Sequence, residues 1–262
     1  MISENNIFDV GAFDGLDGLI LAIQNPNIMV HAFEANPDLI KIIKTNKDKI
    51  EKYKKIEIKN YKIINNAVSD KNTILTFNIA KNPTVSSLNE FSKNIDRTWP
   101  GYREAHCTVV KKIQVKGITL EKYCIDNEIK KINYLHIDTQ GSDLEVLKGL
   151  KNKLEIVDQG VLEAATKKET SLYETNHTID EVKKFLQLNN FKISKIENVD
   201  ENIDKEKNIY FSKKNSNINF KINKKYNIRY YRRMISDQLN LKDKFFDKIK
   251  KFFFIKSYQK HR

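Results

Sequence analysis

Cysteine, proline and glycine are scarce in this chain. Two cysteines in 262 residues, Cys107 and Cys124, cannot build a disulfide framework, and they suit a reducing compartment such as the cytoplasm. Four prolines and eight glycines exclude collagen-like and Pro/Gly low-complexity architectures. No uninterrupted apolar run approaches the ~18 residues that a spanning helix needs. The N-terminal Met1 to Asn6 carries no basic region and no apolar core, so no signal peptide is expected. With 40% apolar and 31% charged residues, the chain can still bury a core. Its length suits one large domain with an appendage.

The net charge of +13 is concentrated at one end. Residues 217–262 hold 14 Lys/Arg against 3 Asp/Glu, a net of +11. Residues 1–216 hold 33 against 31, a net of +2. The basic balance therefore speaks about a partner of the tail, whether membrane surface, nucleic acid or acidic protein, and not about the body's substrate.

Along the body, short apolar runs alternate with helical patterns. Strands are expected at 7–10, 28–33, 62–68, 73–79, 113–115, 132–138, 156–164, 191–196 and 207–212. Helices are expected at 16–23, 37–54, 118–130, 144–150 and 178–189. Pro37 suits the first turn of its helix. Residues 80–112 read as an irregular insertion. This alternation predicts an α/β fold, a mainly parallel sheet with helices on both faces, and a site at the carboxyl ends of the strands.

Two stretches carry chemistry. The first is Asp9-Val10-Gly11-Ala12-Phe13-Asp14-Gly15, between the first strand and the first helix. Glycines there let the backbone turn sharply and approach a ligand closely. Glu34 ends the next strand, where an acid accepts hydrogen bonds from both ribose hydroxyls. A dinucleotide site wants G-x-G-x-x-G, with amides on a pyrophosphate. The acids Asp9, Asp14 and Asp17 better suit the ammonium and sulfonium of S-adenosylmethionine. The plain alternative is a strand–turn–helix that binds nothing.

The second stretch is Tyr134-Leu135-His136-Ile137-Asp138-Thr139-Gln140-Gly141. Alternation along a strand puts Tyr134, His136 and Asp138 on one face, with Asp138 at the carboxyl end. A packed, hydrogen-bonded histidine is the alternative for His136, and a helix cap for Asp138. The N/D-P-P-Y/F motif of base-amino methylation and a Pro-Cys nucleophile are both absent, which speaks against a base methyltransferase.

In order along the chain stand Asp9-Val10-Gly11-Ala12, Phe33-Glu34-Ala35-Asn36-Pro37, Asn66-Ala67-Val68-Ser69-Asp70, Ser86-Ser87-Leu88, Ile118-Thr119-Leu120, His136-Ile137-Asp138-Thr139-Gln140-Gly141-Ser142-Asp143 and Val146-Leu147-Lys148-Gly149. Together these blocks resemble the FkbM family of S-adenosylmethionine-dependent methyltransferases over about residues 7–212. The resemblance implies a Rossmann-like class I methyltransferase fold with a seven-stranded sheet, and O-methylation, often of sugar or polyketide hydroxyls. The chain departs from it at Ala35, where the family more often has Pro. It departs again at His-Ile-Asp-Thr-Gln-Gly, where Lys-Ile-Asp-Val-Glu-Gly is usual. The second change removes a carboxylate near the acceptor.

A hydroxyl acceptor needs a proton acceptor within about 3 Å. The candidates are Asp138 first, then Glu163 at the end of the next strand, with His136 and His106. Asp9, Gly11, Ala12 and Gly15 are assigned to the cofactor's methionine end. Glu34 is assigned to its ribose, and Ala67 and Val68, at the end of the third strand, to its adenine. Asp138, Glu163 and His136 could also ligate a divalent metal, but nothing in their spacing demands one, and no metal is assigned. No N-terminal cap is expected before the first strand. Cover over the site is then expected from 80–112, where Trp99, Tyr102, Arg103 and His106 suit a polar acceptor. A surface insertion closed by its own apolar cluster is the alternative.

In the tail, Leu241, Phe245, Phe246, Ile249, Phe252 and Phe253 fall on one helical arc, with lysines mainly on the other. Residues 229–258 thus suit peripheral contact with an anionic membrane from the cytoplasmic side. They also suit a Phe face docked on the domain or on a second subunit in a homodimer. Nucleic acid, clamped by Arg229-Tyr230-Tyr231-Arg232-Arg233, is the third reading. The sequence therefore predicts a methyltransferase domain over 1–216 and a basic extension over 217–262. The acceptor is expected to be a glycan or small hydroxylated metabolite. An RNA ribose methyltransferase and a non-catalytic nucleoside-binding adaptor remain as alternatives.

Overall fold

The computed structural model describes residues 4–200, 203–214 and Tyr231. Its main sheet has seven strands, in the order β3-β2-β1-β7-β8-β10-β9. They are β1 (Asn6–Val10), β2 (Met29–Phe33), β3 (Tyr61–Ile64), β7 (Tyr134–Ile137), β8 (Gln159–Ala165), β9 (Phe191–Asp200) and β10 (Ile203–Lys213). All pairings from β3 across to β8 are parallel, and β10 runs antiparallel to both its neighbours. A smaller sheet, β4-β6-β5, sits beside it, with β4 (Ala67–Val68), β5 (Ile74–Ala80) and β6 (Val109–Ile118).

The sheet divides the apolar core by strand alternation. Phe8 and Val10 point to one face, where they join Leu135, Ile137, Leu162 and Phe211. That face is closed by α4 (Leu120–Asp126), α5 (Asp143–Lys148) and α6 (Ile179–Leu188), through Leu120, Leu144, Leu147, Val182 and Leu186. Ile7 points the other way and joins Tyr134 and Val161 under α1 (Leu16–Gln24) and α2 (Pro37–Lys54). A short α3 (Ile95–Thr98) lies in the segment between β5 and β6.

Local chemistry sets the helix ends. Asn36 caps α2 by accepting from the Asp38 amide at 3.0 Å, with Pro37 following it. Thr178 and Glu181 form a capping box on α6. Such caps contribute about 1 kcal/mol each.

The third strand differs from the sequence reading. It ends at Ile64, and Asn65 and Asn66 redirect the chain. The Asn65 side-chain amide donates to the carbonyls of Glu34 and Ala35, and that of Asn66 to the Lys116 carbonyl. Ala67 and Val68 therefore leave the main sheet and pair with Gly117 and Ile118 in the smaller one. The strand expected at 113–115 is the ten-residue β6, paired with β5 along its length. The basic extension lies outside the described residues apart from Tyr231, which is buried in the cluster that holds Ile7, Tyr134 and Val161.

Candidate active site

The first loop is built by close backbone contact. The amides of Gly11 and Ala12 both donate to the Phe33 carbonyl, at 3.0 and 2.9 Å. This fold of the chain holds Gly11 at φ +87°, and a Cβ there would lie 1.8 Å from the Asp138 carbonyl oxygen. Only glycine fits. Gly15, at φ +76°, then opens α1.

Glu34 lies where β2 ends and is buried. Its two carboxylate oxygens accept from the Phe13 amide at 2.9 Å and the Asn36 amide at 2.7 Å. Burial pushes its carboxyl from 4.5 up to about 7. The two amides, with that of Ala35, pull it back, and the charge of Asp9 adds to the rise. The carboxyl is thus short of donors for its charged form. Two ribose hydroxyls would supply them. The loop, Glu34 and the acids fit S-adenosylmethionine: Glu34 would hold the ribose, and the turn from Gly11 to Gly15 would take the methionine end.

Asp9 and His136 stand side by side on the parallel strands β1 and β7. His136 Nδ1 lies 2.9 Å from Asp9 Oδ1. Asp9 is buried, and its Oδ2 has no hydrogen-bond partner. That oxygen faces α1, where a Cβ on Gly18 would come within 2.6 Å of it. Burial works to lower the His136 pKa. The hydrogen bond to Asp9 and the charges of Asp9, Asp138 and Asp17 overcome it and raise the pKa to about 9. His136 is therefore protonated at neutral pH. A raised pKa suits it to supply a cation beside the carboxyls more than to take a proton from an acceptor.

Beyond this pair the strands present a row of acids. His136 is level with Val161 of β8, and the same register continued by two residues sets Asp138 level with Glu163. Glu163 in turn faces Asn208 of β10, and Glu206 lies one step further on the same face. Burial first, then the neighbouring acids, hold Glu163 well above the usual carboxylate range, and Glu206 rises to about 7 for the same reasons. Burial raises Asp138 too, against the His136 charge and a hydrogen bond from the Gln140 amide. Asp143 is buried beneath the row and accepts from the Thr139 amide at 3.2 Å.

The structure thus places Asp138, Glu163 and His136 together, with Asp9 behind them. Gly11, Ala12, Gly15 and Glu34 form the adjoining cradle. Ala67 and Val68 are buried in the smaller sheet, not at the end of the third strand where the sequence reading put them. Asp138 does not cap α5, since Ser142 holds that position. Among the described residues, no three His, Cys, Asp or Glu side chains are arranged to hold a metal ion.

Of the insertion residues, Trp99 donates from Nε1 to the Thr170 carbonyl at 2.9 Å, and Lys205 Nζ sits 4.5 Å from its ring centroid. Arg103 pairs with Asp96 at 3.6 Å on the surface, and His106 makes a left-handed turn at φ 59°. Trp99 and Tyr102 pack in a satellite cluster with Ile95, Cys107, Leu172 and Tyr173. The sequence reading missed Glu206, Gln140 and Tyr173. Gln140 carried a signal as the residue that replaces the family's usual glutamate, Glu206 lies near the start of β10, and Tyr173 stands between β8 and α6 with no local signal.

The methyltransferase FkbM domain family matches residues 9–193, well over half of the chain. No curated protein matches it in sequence. Among solved structures, it is similar to the methyltransferase FkbM from Methylobacillus flagellatus, with 11% identity and a TM-score of 0.46, over 80% of this chain and 44% of that one. It is also similar to TrmK from M. capricolum in complex with S-adenosyl-homocysteine, with 14% identity and a TM-score of 0.42, over 82% and 65%. A third is the magnesium protoporphyrin IX methyltransferase ChlM from Synechocystis with bound S-adenosylmethionine, with 10% identity and a TM-score of 0.42, over 79% and 69%. The chain spans less than two thirds of the length of the first two. Among the described residues, no helix is long and apolar enough to cross a membrane. The family match, the glycine turn, the buried acid after β2 and the seven-stranded order agree: the chain belongs to the methyltransferase FkbM domain family, the S-adenosylmethionine-dependent methyltransferases its sequence resembles.

Proposed function

We propose that the chain methylates a hydroxyl oxygen of a sugar, glycan or small hydroxylated metabolite. The observation that carries this reading is the row Asp138, Glu163 and Glu206, all with carboxyl pKa values raised, beside the cofactor cradle. A neutral hydroxyl must lose its proton on methylation, and an acid whose pKa is raised towards neutrality is well matched to take it. Bound S-adenosylmethionine supplies an electrophilic methyl on sulfur. The chain's part is then alignment and proton removal. S-adenosylmethionine, held by the Gly11–Gly15 turn and Glu34, would supply the methyl and keep the carbon–sulfur bonding pair on sulfur, and Asp138 would take the proton that the acceptor hydroxyl loses. Protonated His136 tempers the charge of the row.

The test is methyl transfer from tritiated S-adenosylmethionine to a panel of monosaccharides, oligosaccharides, hydroxylated metabolites and RNA. Mass spectrometry of the products locates the methyl. Transfer to a sugar or metabolite oxygen supports the reading. Transfer only to nitrogen, carbon or RNA ribose overturns it.

We place this activity in the cytoplasm, with residues 229–258 contacting an anionic membrane at its surface. The charge and Phe periodicity of the sequence support that contact. The burial of Tyr231, with Lys54 Nζ 5.1 Å from its ring centroid, supports anchorage of the segment's start on the domain itself. Sedimentation with anionic and zwitterionic vesicles tests the membrane contact, and analytical ultracentrifugation tests a homodimer.

A further inference from the structure

We propose that Gln140 is a positioning residue for Asp138, and that Ser87 and Tyr173 hold Gln140 in place from the segments that pack over the strand ends. This rests on Asp138 as the proton acceptor of the reading above.

Gln140 has a left-handed backbone, at φ 57°, followed by Gly141 at φ 95°. A side chain other than glycine pays about 1 kcal/mol or more for that conformation, which persists only where the surroundings over-determine it. Here three bonds do so. The Ser87 hydroxyl donates to the Gln140 carbonyl at 2.6 Å. The Tyr173 hydroxyl lies 3.0 Å from Gln140 Oε1 and 2.9 Å from the Val85 carbonyl. Gln140 Nε2 donates to Asp138 Oδ1 at 2.6 Å. The Asp138 carboxylate only accepts, so it draws the Gln140 N–H to itself and turns Oε1 to the Tyr173 hydroxyl, whose single proton is shared between Oε1 and the Val85 carbonyl.

The brace is itself braced. Ser87 Oγ accepts from the Asn89 amide at 2.9 Å, and Asn89 Nδ2 donates to Ser142 Oγ at 2.9 Å. Tyr173 reaches the site because Gly141 has no side chain: a Cβ there would come within 2.9 Å of the Tyr173 ring. Phe91 stacks on the other part of this wall, its ring centroid 5.5 Å from that of Tyr173. Segment 85–91 and the turn around Tyr173 therefore aim one carboxylate.

In this chain an amide makes a contact that the family's usual glutamate could not, since it donates to Asp138. Glutamate at 140 would add another negative group among Asp138, Asp143, Glu163 and Glu206, with nothing to donate to Asp138. The groups facing Asp138 are then His136 and Asp9 from β7 and β1, Asp17 from α1, Asp143 from α5, Glu163 from β8 and Glu206 from β10. Gln140 is the neutral donor in that set.

The test reads Asp138 directly. The full-length protein is labelled with aspartate enriched in ¹³C at the side-chain carboxyl, and the Asp138 signal is assigned by its loss in Asp138→Asn. Removing a donor to the charged form raises a carboxyl's pKa. Gln140→Leu should move the Asp138 midpoint up by about one pH unit or more, and Tyr173→Phe should move it the same way by less. Gln140→Asn, too short to span both partners, should behave as Gln140→Leu and stands in for it if the leucine variant does not fold. Midpoints unchanged in the folded Gln140 variants overturn the proposal. On an acceptor found in the panel, Gln140→Asn should lower kcat at least tenfold at neutral pH and leave KM for S-adenosylmethionine within twofold. Its rate should recover towards the wild-type value as pH rises. The titration needs no acceptor, so failure of the hydroxyl reading and failure of this proposal appear in separate measurements.

Discussion

Replacing Glu34 by glutamine should flatten the fall of stability with rising pH and weaken cofactor binding. The Glu34 carboxyl rises from 4.5 to about 7 on folding, through burial first. A folded-state pKa above the unfolded one gives stability that is complete below about 4.5 and is lost as pH rises through about 7. Each pH unit between the two values is worth about 1.4 kcal/mol, so Glu34 should cost the cofactor-free protein on the order of 3 kcal/mol between pH 4.5 and 8. Glutamine does not titrate. Its NH2 group leaves either the Phe13 or the Asn36 amide without an acceptor, a fixed cost of about 1–3 kcal/mol that is the same at every pH. The measurement is therefore the slope: urea denaturation of both proteins from pH 5 to 8, with the wild type losing on the order of 3 kcal/mol more than the variant. Bound S-adenosylhomocysteine should pull the Glu34 pKa down by donating its ribose hydroxyls. Calorimetry at pH 7 in buffers of different ionisation enthalpy should then show proton release on binding, absent in the variant. Loss of charge-assisted hydrogen bonds worth about 1.5–3 kcal/mol should weaken the variant's binding about 10- to 100-fold. Parallel pH curves for the two proteins, or an unmoved Kd, would refute the assignment of Glu34.

Three further outcomes follow from single contacts. Gly11→Ala should abolish S-adenosylhomocysteine binding by calorimetry and lower Tm, because its Cβ meets the Asp138 carbonyl at 1.8 Å and its φ is +87°. The His136 pKa is raised from 6.5 to about 9, so its stability contribution is full below pH 6.5 and is lost as pH rises through 9; denaturation from pH 6.5 to 10 should fall by roughly 3 kcal/mol more in the wild type than in His136→Gln. Cys107 and Cys124 are buried with thiols pushed up to about 12, so a thiol-reactive dye at pH 8 should label neither until denaturant is added, when both react.

Much of the fold was legible because its signals are local. Helix α2 ends where the sequence put it, at residues 37 and 54, since Asn36 and Pro37 fix its start within two residues. The third strand was misread because Asn65-Asn66 looks like polar residues within a strand. Their side chains bond carbonyls of β6 and of the turn after β2, contacts that only the folded chain creates. Strand β6 was read short because much of its outer face is charged or polar: Lys112, Gln114 and Lys116 are exposed, and Val110 is exposed too. Its length comes from pairing with β5 across the intervening segment.

The site follows one pattern that explains both what was seen and what was missed. On the face under α1 and α2, each central parallel strand changes from apolar to titratable in one pleat repeat. Ile7 is followed by Asp9, Tyr134 by His136, and Val161 by Glu163. Apolar core at the amino end and chemistry at the carboxyl end is readable from any one of these strands, because both travel in the direction of the chain. Strand β10 crosses the same boundary backwards. Glu206, its acid in the row, precedes the partly buried Tyr210, with Asn208 between them opposite Glu163. A reader looking for acids at strand ends therefore passes over the acid at this strand's beginning. Antiparallel pairing brings Glu206 to the carboxyl ends of β7 and β8, where burial and Asp138 raise its pKa. The same inversion applies wherever a parallel sheet closes on an antiparallel strand: functional residues on that strand belong near its start.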